Sequence, residues 1–180
     1  MLAIFTKKKI SELKVSNIFV NSLLDVTEKG WEDIAAMIDE DPSFMQNPNL
    51  RFARSDKFIM IIFAANLKYM SKYFDKEQED RLRFKIVEKL SVAFGMEEEK
   101  LYKYVKEYSA FLSKVNHPSN NILYSISKGI YHKYNLNEYQ EEYFRSLKTP
   151  NPLLLKRMDE VLVNFIWDWD EFLSKYKISA

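Results

Sequence analysis

Apolar residues recur along this chain at intervals of three and four, the spacing that lines one face of an α-helix. Val15, Phe19, Leu23 and Val26 make such a stripe over Glu12–Glu28, and Gly30 follows as a C-terminal stop. A short helix over Trp31–Asp39 carries Ile34, Met37 and Ile38 and ends before Pro42. Asp41–Arg54, with Pro42, Asn47, Pro48 and Asn49, reads as an irregular loop. Ser55 is the expected N-cap of a helix over Asp56–Phe74. The stretch Phe58–Phe63 is apolar on every side, which predicts a central helix lying against the last helix of the chain.

Asp75 and Gln78 form a capping-box-like start for Lys76–Phe94, with Leu82, Ile86, Leu90 and Ala93 inward and Gly95 as its stop. Glu97, Glu98 and Glu99 suit the positive end of the next helix, which runs to Val115 with Leu101, Val105, Tyr108 and Leu112 inward. His117-Pro118 breaks it, and Ser119 caps a helix over Asn120–Tyr134 striped by Ile122, Ile126 and Ile130. Asn137 begins a short helix ending near Leu147. Asn151-Pro152 pairs an N-cap with a first-turn proline, opening a last helix that runs to Tyr176. Its stripe is Leu154, Met158, Val161, Phe165, Trp169, Phe172 and Tyr176. These elements predict an all-α protein, a single-domain bundle or irregular array of about seven or eight helices over residues 11–180. Residues 1–10 read as a flexible N-terminal arm.

Composition narrows the chemistry. The 180 residues carry 27 basic and 26 acidic side chains, a net charge of +1. That balance gives no general attraction to nucleic acid, so nucleic acid is an unlikely partner. A local contact through Lys7-Lys8-Lys9 or the Tyr124–Lys128–Tyr131 face is the weaker alternative to a solvated surface. There is no cysteine, which removes disulfides, thiol catalysis and zinc-thiolate sites. The longest apolar run, Phe58–Ala65, is far shorter than a membrane span. With no signal-peptide order at the N-terminus, the expected location is cytoplasmic. Three glycines leave no material for a glycine-rich phosphate loop. The 13 phenylalanines, 11 tyrosines and 3 tryptophans make the chain aromatic-rich, a trait shared by cores and interfaces.

His117 and His132 are the only histidines, and neither follows a glutamate by three residues, so no metal site and no cofactor is expected. Glu138, Glu141 and Glu142 read as a solvated face. Gly129, inside the Ile122 stripe and one turn after Ser125, predicts a close helix crossing. On a wheel with Phe165 at zero, Asp168 and Asp170 fall near 300° and 140°, on opposite margins of the buried stripe, so they cannot act as a dyad. Trp167 falls near 200°, on the outer face. It has Val163 beside it and Glu160 and Glu171 around it.

An exposed tryptophan is enriched at binding surfaces. The leading expectation is therefore a non-enzymatic interaction or scaffold protein. It would act through the Trp167, Val163, Glu160 and Glu171 surface on a protein partner or a second copy of itself. The alternative is a small-molecule binder or enzyme with an inter-helical pocket that uses Asp168, Asp170 and His132.

Overall fold

The computed structural model describes residues 7–180, and they form an all-α domain with one small sheet. Eight α-helices occur among the described residues: α1 (Glu12–Asp39), α2 (Asp56–Tyr69), α3 (Lys76–Phe94), α4 (Glu98–Asn116), α5 (Ile122–Lys133), α6 (Glu142–Leu147), α7 (Pro152–Leu162) and α8 (Trp169–Lys175). Strand β1 (Lys8–Ser11) pairs in parallel with β2 (Tyr176–Ser179), with Lys8 opposite Tyr176 and Ser11 opposite Ser179. Part of the expected arm is therefore ordered by a partner at the far end of the chain. Its remainder, Met1–Thr6, lies outside the described residues.

The central helix is α2. Phe58, Ile59, Ile61, Ile62, Phe63, Ala64, Ala65 and Leu67 are all buried. Its neighbours are α1, α4 and α5, whereas α7 packs on α5. The expected pairing of α2 with the last helix holds only for its later part: α7 itself packs on α5, whereas Phe165, beyond α7, packs on Phe58 of α2, and α5 crosses α2 directly. Gly129 on α5 makes this crossing close: a Cβ there would meet Leu112 Cδ2 at 2.6 Å and Ile61 Cγ2 at 3.3 Å. Ser127 on α5 donates to the Asp159 carboxylate on α7. Burial raises the Asp159 pKa above its ordinary value, against the lowering effect of the serine.

Local capping signals operate as read at three places. Asp75 accepts from Gln78 N at 2.9 Å, Gly95 ends α3 at φ +58°, and Asn151 accepts from Leu153 N at 2.9 Å. Others are overridden. Gly30 does not stop a helix, because α1 runs straight through it. The missing side chain instead admits the Phe165 ring, which would lie 2.6 Å from a Cβ. Ser55 makes no capping hydrogen bond; Phe58 N donates to the hydroxyl of Tyr134, just past the end of α5, at 3.1 Å. Asn121, not Ser119, caps α5. The helix expected from Asn137 is split by buried Gln140, whose amide bonds Tyr131, Asn137, Thr149 and Asn151.

The largest departure is the last helix. It ends at Leu162, turns through a 3-10 segment at Val163–Phe165 and restarts at Trp169. Asn66, buried on α2, donates to Phe165 O and accepts from Trp167 N, at 2.9 and 2.8 Å. These bonds hold the backbone groups at the break, so the interruption leaves them satisfied. Asp168 then caps α8 by accepting from Glu171 N at 2.8 Å.

Candidate functional site

The 28-residue α1 carries Glu28, Trp31 and Glu32 to the edge of a cleft of about 1010 Å³. Trp31 is buried between Phe58 and Tyr134, with ring centroids at 5.3 and 5.0 Å. Its indole N–H donates to Ala53 O at 3.2 Å. Tyr134 donates to the next carbonyl, Arg54 O, at 2.9 Å. Two aromatic side chains thus hold the 53–54 backbone, which forms one border of the cleft. Burial holds the Tyr134 hydroxyl protonated well above the usual range.

The rest of the lining comes from three places. Ile59 and Met60 project from α2, and Phe94 and Met96 flank the left-handed turn at Gly95. Leu101, Tyr104 and Tyr108 come from α4, at the i, i+3, i+7 spacing of a single helix face. Methionines suit such a surface because their unbranched chains adapt to different shapes. Burial raises the Tyr108 pKa, with Asp56 and Tyr104 adding to it.

Charged groups stand around this apolar lining. Arg51 is tied to Glu40 outside the cleft, and Lys57 donates to Lys133 O at 3.2 Å. Arg54 stands 3.7 Å from Asp56. Glu28 and Glu32, one turn apart on α1, have no ion-pair partner among the described residues. The lining holds no histidine and no hydroxyl hydrogen-bonded to a carboxylate. Among the described residues no group of three or more histidine, aspartate or glutamate side chains is placed to hold a metal ion.

The residues expected from sequence lie elsewhere. Trp167 is half-buried against Phe19, Trp169 and Phe172, with centroids 5.4, 6.0 and 5.7 Å away. Because the helix breaks before it, the wheel that put it outside does not apply. Val163, 50% exposed, sits on the 3-10 turn, Glu160 on α7 and Glu171 on α8, where it pairs with Lys175 at 2.5 Å. The break thus divides the expected surface among three elements. A smaller groove of about 350 Å³ beside Trp167 includes Asp168 and Glu171.

The three expected polar groups do not converge either. Asp168 is the α8 cap. Asp170 accepts from the Tyr73 hydroxyl at 3.0 Å. The neighbouring Tyr69 hydroxyl, then burial and Asp170, raise the Tyr73 pKa. His132 lies exposed on α5, edge-on to Tyr131 at 5.0 Å. Partial desolvation of the imidazole and then the charge of Lys128 lower its pKa.

What the sequence reading missed is the Trp31 cleft. Its signals were Glu28 and Glu32 flanking a tryptophan at helical spacing, and the Tyr104/Tyr108 pair four residues apart. Set beside known proteins, the chain matches no family model, no curated protein and no solved structure.

Proposed function

We propose that this chain is a binding protein that holds a small, largely apolar ligand in the cleft between α1, α2 and α4 and does not transform it. One observation carries the reading: a cleft of about 1010 Å³ whose walls are mostly aromatic, methionine and aliphatic side chains. A concave, mainly apolar pocket with a few polar groups is the usual form of a small-molecule site. The hydrogen bonds of Trp31 and Tyr134 to the 53–54 backbone support it, since a pre-set border lowers the ordering cost of binding. A cytoplasmic place of action accords with the cysteine-free chain, and among the described residues no helix is long and apolar enough to cross a membrane.

The neutral fluorescent probe N-phenyl-1-naphthylamine tests this reading. One equivalent binds the wild type, and Met60→Trp, which fills the cleft from its half-buried α2 wall, weakens binding by about tenfold. An unaltered titration in a variant with an unaltered melting curve overturns the reading.

A second reading keeps the interaction protein but moves its surface to α6. This helix has no buried residue, and Tyr143 and Leu147, 67% and 57% exposed, stand one turn apart on it. Under this reading the chain associates through that face with a partner or with itself. Sedimentation over a wide concentration range checks the self-association version: Leu147→Glu abolishes any association the wild type displays. A wild type that sediments as a monomer throughout removes that version.

A further inference from the structure

We infer that the preferred ligand of the Trp31 cleft is a lipophilic organic cation, an aromatic or alkyl body carrying one positive charge. This inference rests on the cleft being a ligand site, and adds the sign of the ligand's charge.

Four facts point the same way. First, two of the three basic groups of the lining stand beside carboxylates, and the third is turned to a backbone carbonyl. Arg51 is held by Glu40, Lys57 reaches Lys133 O, and Arg54 leans toward Asp56. Second, Glu28 and Glu32 face the same cleft from consecutive turns of α1 with no ion-pair partner among the described residues. Third, Tyr104, Tyr108 and Phe94 stand across the lining from Glu28 and Glu32. Aromatic faces carry negative potential and attract cations, more strongly where water is partly excluded. Fourth, this protein already uses that attraction near the cleft: Lys133 Nζ lies 4.4 Å from the Tyr108 ring centroid. An organic cation with an apolar body would bury that body against Met60, Met96 and Leu101 while its charge meets the carboxylates. A metal ion or a small hydrated cation gains nothing from such walls. A lipophilic anion fits the walls equally well but meets the wrong sign at α1.

The test uses two ions of the same shape and opposite charge, tetraphenylphosphonium and tetraphenylborate, titrated calorimetrically into the whole chain in sodium buffer. Two exposed carboxylates that attract one and repel the other separate their affinities by about tenfold in favour of the phosphonium. The gap narrows as salt rises. In the double variant Glu28→Gln/Glu32→Gln, with the melting curve of the wild type, the gap falls to within about twofold.

Equal binding of the two ions, or tighter binding of the borate, overturns the cation inference and leaves the cleft reading standing. So does failure of both ions where the neutral probe still binds. Failure of all three probes overturns the cleft reading itself. A gap that persists in the double variant also overturns the inference, because the charge preference would then come from residues other than Glu28 and Glu32.

Discussion

Two aromatic clusters sit on the same helix and have opposite fates. Around Phe19, near the start of α1, Trp167, Trp169 and Phe172 form a cluster centred on fully buried Trp169, which stacks on Phe19 at 5.6 Å. About 18 Å further along α1, Trp31 stacks on Tyr134 at the border of the 1010 Å³ cleft. The two clusters differ in their polar handles. Trp31 spends its indole N–H on Ala53 O, whereas the indole nitrogens of Trp167 and Trp169 are buried with no partner among the described residues. Aromatic abundance alone therefore does not mark a site. Here, the ring whose polar end secures a loop borders a cleft, and Trp169, whose polar end goes unused, fills the interior.

The comparison breaks most visibly at Trp169. Trp169→Ala empties the closed cluster and lowers unfolding free energy by ~3–5 kcal/mol in urea denaturation, with the cleft affinity for the naphthylamine probe unchanged. Gly30→Ala acts at the frontier, where the Phe165 ring that would strike the new Cβ also touches Phe58 at 5.2 Å, next to Trp31. Overpacking outweighs the better helix propensity of alanine, a net loss of about 1–2 kcal/mol, and probe affinity falls with it.

A matched pair sharpens the contrast further. Trp31→Phe removes a made hydrogen bond and Trp169→Phe an unmade one, so the first destabilises more than the second by about 1 kcal/mol. Only the first weakens probe binding. The smallest effect lies outside both clusters, at Asp159. Its folded pKa is raised, so the folded state holds that proton more tightly than the unfolded state does. The stability from this group is complete below the ordinary aspartate value of 3.8 and is lost as pH rises through the higher folded value. Asp159→Asn flattens this segment of the pH–stability curve and is more stable than the wild type at neutral pH. A curve that keeps its slope in the variant assigns the effect to another group.

Signals that act within a few residues were legible in the sequence. The Asp75 cap, the Gly95 stop and the Asn151-Pro152 start need only their own turn of chain, and the Phe58–Phe63 run announces a buried helix by itself. The unreadable features are set by residues distant in sequence. Gly30 looks like a stop until Phe165, 135 positions later, is seen to need its space. The last helix has an unbroken stripe, yet Asn66, about a hundred residues earlier, bonds both sides of its break. The wheel argument for Trp167 failed with that break. Tyr108 falls on the inward stripe of α4 and is half-buried, but a helical stripe says only that a face is covered. It cannot say that α1, α2 and α4 meet without filling the space between them.

The pairing of Lys8–Ser11 with Tyr176–Ser179 has a mechanical consequence. In a parallel pair the incoming end of one strand and the outgoing end of the other lie at opposite ends of the ladder. Tension applied at Lys8 and Ser179 therefore runs along the strands and loads their hydrogen bonds in shear, all at once, instead of unzipping them one by one. Placed between two tethers, the domain would resist stretching first through eight residues, and its helices would feel the force only after that latch had slipped.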